Sequence, residues 1–107
     1  MITADKIVGG LELARKASEA MFHKIGGDRF ACGFARTEVY VERTNSKEAK
    51  ELIKAGFRKS YKAKCLDYYN PGGLPVQNID IKEAGAEAFA QYLTALGFRA
   101  YASSNLD

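Results

Sequence analysis

Glycines at positions 26 and 27, 56 and 97 cut this chain into stretches that each carry one hydrophobic period, and that punctuation constrains the fold more than any other feature. A residue free to enter the left-handed conformation closes a helix. Ahead of Gly26 the apolar positions Ile7, Leu11, Ala14, Met21 and Ile25 recur at helical spacing, with small Ser18 between Ala14 and Met21. Val8 and Phe22 widen the stripe into a face able to cover a sheet, while Glu12, Arg15, Lys16 and Glu19 fall largely outside it. Gly9 and Gly10 lower helix propensity near the start, so the helix bends there or begins later than Thr3. Around the second of these stops Asn45 offers an amino-terminal cap and Glu48 a capping partner, Ala49, Leu52, Ile53 and Phe57 supply an apolar side, and Gly56 ends the helix. Ahead of Gly97, Asp80 and Glu83 take the same parts for a helix through Ile81, Ala84, Ala88, Phe89, Tyr92, Leu93 and Leu96.

The intervening stretches have strand character. Phe30 to Glu42 alternates, and in its second half Val39 and Val41 seek a core while Arg36, Glu38 and Glu42 leave the other side wet. Gly33 within it marks close backbone packing or a bulge. Tyr61 to Tyr69 suits a second strand, with Ala63 and Cys65 on one face and Leu66 and Tyr68 on the other, and Phe98 to Ala102 a short third one. Asn70, Pro71, Gly72, Gly73 and Pro75 form an ordered loop before the last helix. The order helix, strand, helix, strand, helix, strand predicts a single small domain over residues 1–107, of α/β or α+β class. Three helices cover a sheet of at least three strands, with an N-terminal helical element at 1–27 and a mixed core at 30–107. Leu11, Met21, Val39, Leu52, Phe89 and Leu93 are expected in the core. Lys47-Glu48-Ala49 and Gly56-Phe57-Arg58 at the ends of the second helix match Lys82-Glu83-Ala84 and Gly97-Phe98-Arg99 around the third, which leaves open either a duplicated unit or local convergence.

Several functional classes lose their footing on composition. With 47% apolar and 27% charged residues and only 2 prolines, the chain can pay for an ordered core. No apolar run approaches the roughly 20 residues needed to span a bilayer, and Asp5 and Lys6 interrupt any signal-peptide pattern, so no membrane partner and a cytoplasmic location are expected. Cys32 and Cys65 are expected as buried free thiols. Neither carries a local Cys and His catalytic signature, and together with His23 they lack the close pairs of a structural zinc site. Gly26-Gly27 and Gly72-Gly73 have the spacing of ordinary turns and not of a phosphate-binding loop. Asp67, Asp80, Glu83 and Glu87 are near enough in sequence to share a neighbourhood, yet Asp80 and Glu83 already have capping roles. The expectation is a protein without enzymatic activity, cofactor or metal.

Charge is uneven along the chain. Residues 47–64 carry seven cations against Glu48 and Glu51, a formal +5, while residues 65–107 sum to −3. Lys50, Lys54, Arg58, Lys59, Tyr61, Lys62, Lys64 and Tyr69 are therefore the candidate partner surface. Cations interleaved with tyrosines suit the phosphates and bases of RNA or single-stranded DNA. Opposite charge poles equally suit the steering of a protein partner. A protein-interaction or inhibitory module is the first expectation, and a nucleic-acid-binding module using 47–64 the second.

Cys32-Gly33-Phe34-Ala35, Asn70-Pro71, Gln77-Asn78-Ile79-Asp80, Lys82-Glu83-Ala84-Gly85-Ala86 and Ser104-Asn105-Leu106-Asp107 together resemble small uncharacterised phage-associated proteins over residues 32–107. The resemblance implies an accessory, host-directed setting and carries no catalytic residues. Lys82-Glu83-Ala84 and the Ala-rich helix after it also resemble the last helix of a double-stranded RNA-binding domain. That family ends in its helix, whereas here a Gly-Phe-Arg exit and a further strand follow.

Overall fold

The protein, described over residues 1–107 by a computed structural model, has four helical segments and four strands. In chain order these are α1 (Ala4–Val8), α2 (Leu11–Ile25), β1 (Gly33–Tyr40), α3 (Lys47–Ala55), β2 (Arg58–Lys59), β3 (Cys65–Tyr69), α4 (Ile79–Ala95) and β4 (Arg99–Leu106). The sheet runs β2-β3-β1-β4 with every neighbouring pair antiparallel. Each half, β1α3β2 and β3α4β4, is a strand-helix-strand unit split by a strand of the other, which is the ferredoxin-like connectivity. The fold is thus α+β. Because β4 follows α4 and pairs with β1, the element order departs from that of a double-stranded RNA-binding domain. No helix is long and apolar enough to cross a membrane.

The helices start one or two residues away from the expected caps. Ser46, not Asn45, holds extended backbone and accepts the Ala49 N–H at 3.1 Å. Asn78, not Asp80, accepts the Ile81 N–H at 3.0 Å and is itself fixed by donating to the Arg29 carbonyl at 2.7 Å. Asp80 lies in the first turn, where its charge still favours the positive helix end. At the other ends Gly26 and Gly56 take positive φ, and Gly97 does so just after α4. The matched Gly-Phe-Arg triplets occupy equivalent places in the two halves. Each glycine turns the chain, Phe57 and Phe98 enter the core, and Arg58 and Arg99 begin the two edge strands.

The expected first helix is two segments, broken at Gly9 and Gly10. The ring of Tyr92 passes so close that a Cβ on Gly10 would overlap it, and the Tyr92 hydroxyl donates to the Lys6 carbonyl at 2.6 Å. α1 then turns onto α3, where the Ala4 N–H donates to Glu51 at 2.9 Å. α2 packs along α4 instead of on the sheet. Its deep positions are small, Ala14 and Ser18, and the Ser18 hydroxyl donates to the Ile81 carbonyl at 2.7 Å. Gly72, from the ordered loop, and Gly85 close the same seam. Leu11 and Met21 are consequently only half-buried, because the two helices meet through small residues and leave the larger side chains at the margin.

The core lies between the sheet and α3 with α4. Val39, Leu52, Leu66, Phe89 and Leu93 are sealed from solvent there, and Phe57, Tyr68 and Phe89 meet with ring centroids 5.3 to 5.8 Å apart. Gly33 bears out close packing: a Cβ there would come within 2.7 Å of the Asn105 carbonyl oxygen. β3 starts at Cys65 because Tyr61 to Lys64 form the turn from β2, and β4 runs on to Leu106 along the whole of β1. Of the two free thiols Cys65 is buried and Cys32 half-buried.

Two substitutions test this packing through denaturant midpoints. Leu93→Ala should cost about 2 to 5 kcal/mol, since a fully buried side chain loses its transfer energy and leaves a cavity. Gly85→Ala gains about 1 kcal/mol of helix propensity. The new Cβ would sit 2.9 Å from the Gly72 backbone, where overpacking costs about 1 to 3 kcal/mol, so the net effect expected is destabilisation.

Candidate functional site: the uncovered sheet face

Strand alternation divides β1 cleanly. Ala35, Thr37 and Val39 face the helices, and the Thr37 hydroxyl donates to the Ala86 carbonyl at 2.8 Å. Phe34, Arg36, Glu38 and Tyr40 therefore face the other way. Register places Cys65, Asp67 and Tyr69 of β3, Arg58 of β2, and Arg99, Tyr101, Ser103 and Asn105 of β4 beside them. The helices pack on the opposite side.

The floor of this face is ionic. Arg36 and Glu38, expected to be wet, are only 6% and 3% exposed because they fold onto each other and onto their neighbours. Arg36 Nε donates to Glu38 Oε2 at 3.0 Å, its Nη1 donates to Asn105 Oδ1 at 2.9 Å, and its guanidinium lies 5.8 Å from the centre of the Tyr69 ring. Lys62 reaches over from the β2–β3 turn and donates to both Glu38 oxygens at 2.9 and 3.1 Å. Burial pushes the Glu38 carboxyl up, but the hydrogen bonds from Lys62 and Arg36 outweigh it and hold the group below the usual glutamate value. The two cations also offset the placement of Glu38 directly across from Asp67.

Aromatic rings stand above that floor. Phe34, Tyr69 and Tyr101 are 52%, 56% and 55% exposed. Tyr40 is half-buried, with the Arg99 guanidinium 5.8 Å and the Tyr101 ring 5.9 Å from its ring centre. Lys82, buried on α4, donates to the Gly33 carbonyl at 2.8 Å and places its ammonium 5.3 Å from the Phe34 ring centre. Arg58 and Arg99 sit on the two edge strands, in register with Glu38 and Tyr40 respectively, so cations occupy both edges at the end of the face away from Phe34.

The structure gathers only part of the expected surface. Arg58, Lys62 and Tyr69 belong to the open face, and Tyr61 stands exposed at its edge, 5.9 Å from the Lys62 ammonium. Lys59 is opposite core-facing Leu66, so it belongs to the other face of the sheet edge. Lys64 is exposed in the turn. Lys50 and Lys54 are on α3, behind the sheet, with Lys54 paired to Glu51 at 3.2 Å. The basic run is therefore wrapped around an edge instead of forming one patch. Phe34, Arg36, Glu38, Tyr40, Arg99 and Tyr101 were missed by the charge count, although the even positions of β1 carry their own signal: aromatic and charged residues in strict alternation with the core.

Other chemistry is also placed. Asp67 lies on the open face and Asp80, Glu83 and Glu87 on α4 behind it, so the four acids do not converge. Glu38, Cys65 and Asp67 bring ligand-type atoms within 4.8 Å of one another. Lys62 and Arg36 already neutralise Glu38. Burial, with Asp67 beside it, pushes the Cys65 thiol up to about 11, which leaves it a thiol and not a thiolate at neutral pH. No family model, curated protein or solved structure matched the chain in comparison.

The Glu38 network has a pH signature. A carboxyl lowered on folding contributes stability above its unfolded pKa and loses it as pH falls through the folded value. Stability should therefore drop through and below the ordinary glutamate range, and Glu38→Gln should flatten that part of the curve. Parallel slopes for the two proteins in a pH series of denaturant midpoints would refute the role given to Glu38.

Proposed function

We propose that this chain is a non-enzymatic binding module whose occupant is single-stranded nucleic acid, RNA foremost, laid across the uncovered sheet face. The observation that carries the reading is the set of three exposed rings, Phe34, Tyr69 and Tyr101, on one uncovered face that also carries an arginine on each edge strand. Stacking of a base on such a ring contributes about 1 to 3 kcal/mol and tolerates any sequence. Arg58, Arg99 and Lys62 are placed for phosphates, which position the strand without reading it. A four-stranded sheet presenting aromatics to RNA is also the mode of a common RNA-binding fold, an analogy of architecture alone. The absence of enzymatic activity is supported by the state of the ionisable groups on the face. Glu38 is committed to two cations and Cys65 is held as a thiol, so neither is poised as base or nucleophile.

A protein partner, the first expectation from sequence, rested on charge poles that the fold distributes around an edge. Rings and margins on one face move the weight to nucleic acid. A cytoplasmic, phage-associated setting belongs to the same proposal, and free thiols suit a reducing compartment.

The test is fluorescence anisotropy with labelled oligouridine and oligothymidine over a range of salt. Tyr69→Ala and Tyr101→Ala should each weaken binding about 5- to 150-fold. Arg58→Gln and Arg99→Gln should each lower the salt slope by about 0.7. Lys50→Gln with Lys54→Gln, behind the sheet, should change affinity less than about twofold, because neither contacts the strand. Absence of saturable binding to either oligomer would sink the reading. A complex from nuclease-treated lysate that depends on Tyr69 and Tyr101 would transfer the face to a protein.

A further inference from the structure

The two edges of the sheet are built differently. β2 is two residues long and both are cationic, a form that discourages strand addition. β4 is eight residues long, and from Ala100 to Leu106 it has no charge, proline or glycine. Its outer main-chain groups can be identified from the ladder. Asp107 N–H donates to the Cys32 carbonyl, so in this antiparallel pair the odd positions of β4 bond to β1. Ala100, Ala102, Ser104 and Leu106 therefore turn their N–H and C=O groups outward. Of these the Ala100 carbonyl accepts from Thr94 at 3.5 Å. Ala102, Ser104 and Leu106 present an open edge.

We infer that β4 pairs antiparallel with β4 of a second copy about a two-fold axis at Ser103, joining two sheets into one of eight strands. This inference goes beyond the nucleic-acid reading and does not rest on it, although the two share Arg99. Three observations point to a second copy as the occupant, and the second of them to this register. First, centring on Ser103 sets the outward-facing residues opposite one another, Ala102 with Ser104 and Ala100 with Leu106, so both edges are satisfied reciprocally. Second, the same register sets Arg99 opposite Asp107 of the second copy, twice, bringing opposite charges to the ends of an otherwise uncharged strand. Third, an alanine-lined groove runs between α4 and β4, formed in part by Ala90, Ala95, Ala100 and Ala102. Leu106, 71% exposed and on the helix side of β4, would enter that groove of the second copy beside its Ala100. Both uncovered faces then lie on the same side of the joined sheet, because side chains keep their faces across an antiparallel pair. Glu87 borders the groove in each copy, a like-charge cost consistent with reversible association.

Site-specific disulfides test the register directly. In a Cys32→Ser background, Ser103→Cys lies opposite itself in a non-hydrogen-bonded pair, with Cα atoms about 4.5 Å apart, inside the range a disulfide spans. Mild oxidation should give a covalent dimer from Ser103→Cys and little from Tyr101→Cys, which faces position 105 of the second copy. Sedimentation equilibrium should find a reversible dimer for the native chain. Ala102→Pro removes an outward N–H without touching the β1 ladder and should raise the dissociation constant at least about tenfold, with circular dichroism unchanged. Arg99→Asp should also weaken the dimer, and adding Asp107→Arg should restore it. A native chain that stays monomeric at every concentration, preferential crosslinking at 101, or a dimer indifferent to a folded Ala102→Pro variant would each overturn the inference. Loss of oligonucleotide binding with the dimer intact would count against the face alone.

Discussion

β1 is one of the two inner strands of a sheet that has helices on one side only, and its free face is held by Glu38 lying between Arg36 and Lys62. An antiparallel sheet commonly leaves such a face to water, yet here its ionic floor is itself buried. Here a carboxylate takes two cations, one from its own strand and one from the turn beyond β2, and the stems of those long side chains shield the floor. Truncating one member of such a set leaves a charge buried without a partner, which costs more than the intact pairing returns. The arrangement ties the β2–β3 turn to the middle of the sheet. It also leaves the larger rings above the floor free to meet a ligand.

On the covered side the architecture depends on closeness, not bulk. Ser18, Gly72 and Gly85 bring α2, the 70–75 loop and α4 into near-backbone contact, and the gap at Gly9 and Gly10 admits the Tyr92 ring. These contacts attach the N-terminal segments to the helices of the split βαβ core. α2 packs on α4 and does not cover the second face of the sheet, which stays open.

The two halves of the core are equivalent in connectivity but unequal at their margins. Arg58 and Arg99 start equivalent strands after equivalent Gly-Phe turns, yet β2 stops after Lys59 whereas β4 continues through Leu106. The short edge is closed by charge, and the long one retains unpaired main-chain groups. That difference gives the molecule a direction for assembly that its pseudo-symmetric topology does not.

Much of this was readable from residue order. The period of Ile79 to Ala95, the alternation around Val39 and the glycines at 26, 56 and 97 determine where helices and strands form, because those signals act within a few residues. Even so, Ser46 and Asn78 displaced Asn45 and Asp80 as caps. Candidate residues are equivalent on local sequence, and the choice fell to whichever backbone the adjoining loop held extended. The candidate site was half visible. Arg58, Lys62 and Tyr69 stood out in a basic run, but a run in sequence need not be a patch, and Lys50 and Lys54 were carried behind the sheet by α3. Local sequence determined which residues alternate on β1. Only the tertiary structure decided that β3 and β4 flank it, that Tyr101 and Tyr69 therefore share its open face, and that Glu38 is buried by Lys62 from 24 positions away. Strand order is set by long-range pairing and helix packing, and neither leaves a mark within the span over which hydrophobic periods can be read.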